Sequence, residues 1–196
     1  GAVISMAWYV VDGMDGSGKS TVAEMLRSGL ESRGRRVLVL THPSRETRMG
    51  RLELRFLQRE GKAAMLCSTS LFILDILRSI RVMRGRRGRG YDDFVFVRYS
   101  MAAAYLPDRL CSVAYRIIVA VLPTPDTAIL VDVDPGIALA RIEGRGEKHE
   151  VFETRERLEM VRRRMLGLSE GWIVIENTSG TSELKDMIGK VLEAGD

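Results

Sequence analysis

The chain is 196 residues long, 45% apolar and 29% charged, with a formal net charge of +4. This is the size and balance of one soluble globular domain, and it excludes an extended fibre or a disordered chain. No apolar run approaches the roughly 20 residues that cross a bilayer; the longest candidates, 70–80 and 117–122, are interrupted by Asp75 and Arg78 or ended by Pro123, so no membrane partner is expected.

In chain order, "AWYVVDG" is a short apolar run ended by Asp12 and Gly13, which predicts a buried strand. From Lys19 to Ser32 the apolar positions Val22, Met25, Leu26 and Leu30 recur at helical spacing, and Gly34 stops that helix. "RVLVLT" (36–41) predicts a second buried strand, followed by helices over Met49–Gln58 and over Ala63–Met83. "DFVFVR" is a third strand, whose exit runs into a small-residue helix, "MAAAY", and then into a helix from Pro107 to about Leu122. "TAILVDV" is a fourth strand, with Pro135 at the start of the next helix, where a missing N–H costs nothing. Glu153–Leu166 is helical, "GWIVIE" is a fifth strand and Glu183–Leu192 a closing helix. Continuous apolar strands alternating with helices predict an α/β fold whose parallel sheet is covered on both faces.

The first residues carry neither a basic stretch nor a cleavage site, so a secretory signal is not expected. Cys67 and Cys111 sit among apolar residues and read as buried free thiols in a reducing cytoplasm. Two Cys and two His at these spacings do not make a metal site. Arginine carries most of the positive charge, with Lys only at 19, 62, 148, 185 and 190. Its planar fork suits nucleotide phosphates, nucleic acid or a salt-bridged surface alike.

The stretch "GMDGSGKST" matches G-x-x-x-x-G-K-[ST] at Gly13, Gly18, Lys19 and Ser20, between an apolar strand and an amphipathic helix. In such a loop the backbone N–H groups of Gly13, Met14, Asp15, Gly16, Ser17, Gly18 and the helix start through Thr21 turn toward phosphate oxygens, and the helix adds its positive N-terminus. Lys19 would reach the β- and γ-phosphates of ATP, and the Ser20 hydroxyl would ligate Mg²⁺. Motors, GTPases and small-molecule kinases all use this loop. The sequence holds no guanine-reading N-K-x-D, and the long helical stretch between strands two and three points to a small kinase.

With these motifs the chain resembles the thymidylate kinase family of nucleoside monophosphate kinases. "DGMDGSGKST" is similar to the family's phosphate loop, including its internal acid, Asp15; "HPSRETRMGRLELRFLQ" to the stretch after strand two; "LFILD" to the helix that presents an aromatic ring; "VRYSMAAAY" to the Asp-Arg-Tyr motif; "VDVDPGIALARIEGRGEKHEVFE" to strand four and the lid; and "IENTSGTSELKDMI" to the last strand and helix. The resemblance implies a three-layer αβα P-loop NTPase fold over 1–196, with a five-stranded parallel sheet and a short mobile lid at about 142–154. It implies the reaction ATP + dTMP → ADP + dTDP with Mg²⁺, in a cytoplasmic homodimer formed through helices like Ala63–Met83 and Pro107–Leu122. It also implies roles: Asp15 accepts from the sugar 3′-hydroxyl, Arg45 and Arg98 hold the acceptor phosphate with Tyr99 beside them, and Phe72 stacks on the base. Arg141, Arg145 and Arg155 would cover the ATP phosphates when the lid closes.

The residue chemistry gives the same roles a physical reason. Two polyanions must meet head to head, so catalysis is mainly positioning and charge neutralisation, which arginines supply. Arg45 and Arg98 follow strands two and three and lie at the carboxyl edge that carries the phosphate loop, where parallel sheets bind ligands. Phe72 sits on an apolar helical stripe and reads equally as core or as base platform; Asp75 on the same helix needs a partner, with Arg78 or Arg98 the candidates. Three positions depart from the family pattern, all on the acceptor side: Val97 in place of an acid, Ile76 in place of an Arg, and Ala102 in place of a Ser. They leave open a same-fold kinase for another nucleotide or nucleoside, or a catalytically weak ATP-binding regulatory protein. The Arg-rich stretch "RGRRGRG" (84–90) reads as a solvated loop, and no nucleic-acid partner is expected.

Overall fold

The structure, a computed structural model, describes residues 6–44, 62–86, 90–144, 154–178 and 181–194; for 62–68 and Asp108 it describes the backbone alone. Strands β1 (Trp8–Asp12), β2 (Val37–Thr41), β3 (Asp93–Val97), β4 (Thr127–Asp132) and β5 (Ile173–Glu176) form an all-parallel sheet in the order β2-β3-β1-β4-β5. Helices α1 (Lys19–Ser32) and α6 (Thr181–Ala194) cover one face. On the other lie α2 (Lys62–Arg86), α3 (Asp108–Val121), α4 (Pro135–Glu143) and α5 (Arg155–Gly167).

Burial on both faces is why the inner strands β1 and β3 read as unbroken apolar runs; at the edge of the sheet Ile173 and Val174 of β5 are exposed. Along β1, Tyr9 and Val11 pack on Val22, Leu26 and Leu30 of α1, while Trp8 and Val10 pack on Ile76 and Ile80 of α2. Each such side chain, fully buried, contributes about 1.5–3 kcal/mol. The ends of α1 fall where the apolar spacing put them. Its C-terminus is turned by Gly34 at φ 78°, whose N–H donates to Glu31 at 2.9 Å. Pro135 occupies the first turn of α4, and the preceding Asp134 caps it, accepting from Gly136 N at 2.7 Å.

The register sets the site. Val97 of β3 lies level with Val11 of β1 and Thr41 of β2, so His42, Arg98 and Asp12 emerge side by side at the carboxyl edge. Asp92 and Asp93 mark the opposite edge, paired with Arg36 and Arg35. Among the described residues no helix is long and apolar enough to cross a membrane. The helix expected over Met49–Gln58 lies outside the described residues. The small-residue helix expected after Arg98 is a 3₁₀ segment, Ser100–Tyr105, ending before Pro107. Its geometry is fixed by a tertiary contact: Met101 N donates to Asp12 Oδ2 at 3.1 Å.

Candidate active site

The loop between β1 and α1 is locked from outside. Lys19 Nζ folds back to donate to Met14 O at 2.7 Å. Asn177, just past β5, donates from Nδ2 to Ser17 O at 2.8 Å, and Arg141 of α4 reaches Gly16 O at 3.5 Å and Asn177 O at 3.0 Å. The approach is so close that a Cβ on Gly16 (φ 76°) would lie 2.4 Å from Ala138 O. With these carbonyls bonded outward, and no side chain capping the start of α1, the first N–H groups of the helix are left for an anion. Ser20 and Thr21 are exposed on that first turn, whereas the Met14 side chain is buried.

Four polar side chains meet beside this loop. Arg98 forms an ion pair with Asp15, Lys19 Nζ stands 3.6 Å from Asp15 Oδ1, and Tyr105 straddles Asp15. The phenol donates to Asp15 Oδ2 at 3.0 Å and accepts from Asp15 N at 3.1 Å. Burial pushes the Asp15 carboxyl up, but Arg98 and Lys19 outweigh it and hold the pKa at about 2. For Lys19, burial is the largest influence and Arg98 the next; against them Asp15 and Asp12 recover only part, leaving the ammonium at about 8.

Arg98 itself adopts a left-handed conformation, φ 69°, which costs a non-glycine residue roughly 1–2 kcal/mol. Both flanking peptides are pinned. Arg98 N donates to Val11 O at 2.9 Å, and Tyr99 N donates to Asp12 Oδ2 at 2.8 Å. Asp12 is fully buried, also accepts from Gly13 N at 3.0 Å, and has its pKa raised by that burial. On the far side, the buried His42 ring places Nδ1 2.9 Å from Arg98 O and Nε2 2.8 Å from Ser79 Oγ of α2.

The structure thus brings Gly13–Thr21, Lys19, Asp15, Arg98 and Arg141 together. Tyr99 is a correction: its ring packs edge-on to Trp8 (5.5 Å between centroids) and its hydroxyl donates to Pro123 O at 2.8 Å, away from the loop. The kink at Arg98 turns Tyr99 to the opposite side, and Tyr105 is the phenol that reaches Asp15. Phe72 belongs to the core with Ile76 and Phe96, edge-on to His42 at 6.4 Å. Asp75 is fully buried, and its Oδ2 accepts from Ser44 N at 2.8 Å. Arg78 is exposed on the outer face of α2. Ile76 and Val97 are core side chains, Val97 against Val11 and Val22. Arg155 is on the surface with Glu159. Arg45, Arg145 and the lid from 145 to 153 lie outside the described residues.

Sequence reasoning did not single out Asp12, His42 or Asn177, and noted Tyr105 only within an Ala-Tyr pair, Ala104 and Tyr105, shifted by one position from the family pattern. Asp12 carried a signal as the polar end of an apolar strand beside the loop; the others act through partners distant in sequence.

A magnesium ion takes few protein ligands and keeps phosphate and water oxygens around it. The exposed Ser20 hydroxyl at the start of α1 fits such an ion, whereas the described residues contain no cluster of three or more His, Cys, Asp or Glu that would cage one.

The sequence model of the thymidylate kinase family matches residues 11–188. A probable thymidylate kinase of Archaeoglobus fulgidus is 29% identical, the match covering 94% of this chain and 93% of that one. Its counterpart in Pyrobaculum aerophilum is 31% identical over 96% of this chain and 97% of its own, and a thymidylate kinase of Xanthomonas oryzae pv. oryzae 32% identical over 81% and 70%. Among solved structures, thymidylate kinase from Candida albicans shares the fold with a TM-score of 0.72 at 19% identity, covering 97% of this chain and 92% of that one. With a parallel five-stranded sheet, a phosphate loop after its central strand and this likeness over nearly its whole length, the chain belongs to the thymidylate kinase family of nucleotide kinases.

Proposed function

We propose that the protein phosphorylates dTMP to dTDP with ATP as donor. The observation that carries this reading is the meeting of Lys19 and Arg98 on either side of Asp15, one from the phosphate loop and one from the tip of β3. Lys19 lies where the donor's terminal phosphates would be neutralised. Arg98, a third of its side chain exposed, can exchange Asp15 for the acceptor phosphate and hold it by a bidentate contact. Asp15, kept ionised, is then available to accept from the sugar 3′-hydroxyl. An oxygen of the acceptor phosphate forms the new bond to the γ-phosphorus as the bond to the β–γ bridging oxygen breaks, and ADP leaves with that electron pair. Such a loose transition state needs little from a base, which suits a site where β3 ends in Val97. Mg²⁺ bound to the phosphates and Ser20 would supply further charge neutralisation. Arg141, and Arg145 from a lid at about 142–154, would complete the cationic surround of the donor; Arg45 is assigned to the acceptor phosphate.

We further assign the outer faces of α2 and α3 to a homodimer. On α3, Leu110, Val113, Ile117 and Val121 form one exposed apolar stripe at helical spacing, with Leu74 and Leu77 on α2. The buried free thiol of Cys111 supports a reducing, cytoplasmic setting.

The direct test is ADP release with Mg-ATP and dTMP, dUMP, dCMP, AMP and GMP in turn. Turnover with dTMP well above the rest is expected. Preference for another acceptor overturns the substrate assignment, and ATP binding without turnover on any of them overturns the kinase assignment.

A further inference from the structure

The acceptor-side arginine has an unusual support. Arg98 is a non-glycine residue at φ 69°, and its carbonyl is met by a histidine ring buried to 1% exposure. A carbonyl can only accept, so Nδ1 of His42 carries the proton and donates to Arg98 O at 2.9 Å. Nε2 is then the bare lone pair, and the Ser79 hydroxyl donates to it at 2.8 Å. Ser79 sits one turn beyond Asp75 on α2, and Asp75 Oδ2 takes the N–H of Ser44, two residues past His42. The same buried face of α2 also carries Phe72, whose ring meets that of His42 edge-on.

We propose that His42 is a positioning residue for the acceptor phosphate: as a neutral ring in its Nδ1–H form, held at Nε2 by Ser79, it ties the backbone of Arg98 to helix α2 and so holds the guanidinium in place. An apolar ring at this position would fill the space without the tie. The left-handed turn at Arg98 would then lose one of its backbone ties, keeping those to Val11 and Asp12, and the guanidinium would be less well aimed. Because the same helix face holds Ser44, the entry to the segment that follows β2, α2 sets Arg98 and that segment together. His42 makes no bond to the phosphate loop, which is held by Asn177, Arg141 and its own lysine, so donor binding should depend on His42 far less than acceptor binding.

This inference rests on the kinase reading, and the experiment separates the two. Steady-state kinetics with dTMP and direct ATP binding by calorimetry are compared for wild type, His42→Phe, His42→Asn and Ser79→Ala, with amide hydrogen exchange over residues 97–101 measured on the same proteins without substrate. His42→Phe should lower kcat/KM for dTMP about tenfold or more, chiefly through KM, with ATP affinity within about twofold. Exchange at 98 and 99 should rise about tenfold. His42→Asn, which keeps a donor near the Nδ1 position, should recover part of the loss, and Ser79→Ala should show a smaller loss of the same kind. Adding Ser79→Ala to His42→Phe should cost nothing more, because the two act through one ring. Unchanged dTMP kinetics and exchange in His42→Phe, or ATP affinity falling in step with dTMP, overturns the proposal. If wild type turns over no monophosphate, the kinase reading fails, while exchange still decides whether His42 holds Arg98. If His42→Phe does not fold, Ser79→Ala decides alone: no change in KM or exchange overturns the proposal.

Discussion

Lys19 makes nucleotide binding depend on pH in a direction opposite to its effect on stability. In the free protein its pKa is lowered from 10.5 to about 8, burial being the first cause and Arg98 the second. Between those values the unfolded chain binds more protons than the folded one, so this residue makes the fold more stable as pH rises from about 8 to 10.5. The gap, 10.5 less 8 or about 2.5, corresponds to about 3 kcal/mol at 1.36 kcal/mol per pH unit. A bound polyphosphate reverses the balance by favouring the ammonium. If it restores the pKa to 10.5, ATP affinity is constant below pH 8 and falls by up to about tenfold per pH unit above it, to a limit of about 300-fold. The nucleotide's own phosphate ionisations, with a pKa of about 6, are complete before this window opens. The assay is calorimetric titration of Mg-ATP from pH 7 to 9.5 in pairs of buffers that differ in ionisation enthalpy. Proton uptake on binding should appear near pH 8 and approach one proton by pH 9, and Lys19→Met should bind weakly with no uptake. Affinity that stays flat to pH 9.5, or uptake that survives in Lys19→Met, refutes the assignment of this buried ammonium to the phosphates.

Asp15 gives an acid-side counterpart. Its pKa of about 2 lies below the ordinary 3.8, so its contribution is present above pH 3.8 and lost as pH falls toward 2. The stability gap between wild type and Asp15→Asn, measured by urea unfolding, should shrink by about 2 kcal/mol between pH 5 and pH 2. Gly16→Ala puts a side chain at φ 76° and against Ala138 O, and should cost more than about 1 kcal/mol of stability as well as ATP affinity; a thermal melt unchanged from wild type would refute the close approach. Ile117→Arg places a charge in the exposed stripe of α3 and should convert a dimer to a folded monomer by light scattering; a dimer that persists excludes this face as the interface.

The inner strands β1 and β3 were legible because each is buried on both sides and so leaves an unbroken apolar signature, and α1 because its stripe faces the sheet while Gly34 turns its end. The phosphate loop was legible because its glycine and lysine spacing is dictated by its own backbone. What lies across the strand tips was harder to read, since its contacts join distant stretches. His42 reaches Ser79 and Arg98, 37 and 56 residues away. Tyr99 adjoins Arg98 in sequence and was assigned to the acceptor on that ground, yet the left-handed turn between them sends it into the core. Tyr105, five residues past a segment bent by Asp12, arrives at Asp15 instead. Asp75 was rightly singled out as a buried acid that needs a partner, and one partner is the backbone N–H of Ser44. Backbone donors are invisible to a reading of side chains.

The strand order also governs how the protein can be made. β1 leaves the ribosome first, but its neighbours in the sheet are β3 and β4, so Trp8 and Phe94 wait on each other across more than eighty residues of intervening chain. The last hold on the loop is later still, as Asn177 closes on Ser17 from 160 positions away. Pairings this remote are slow to form because a long loop must close before they give anything back. A growing chain therefore carries its phosphate-binding segment in the open, with the strand beneath it unpaired until β3 has emerged and with the hold on Ser17 missing until Asn177 has. Nucleotide cannot template the early steps of folding; it can only stabilise a fold that is already nearly complete. Premature chains that stop before β5 should consequently meet chaperones and proteases as apolar, unpaired strands.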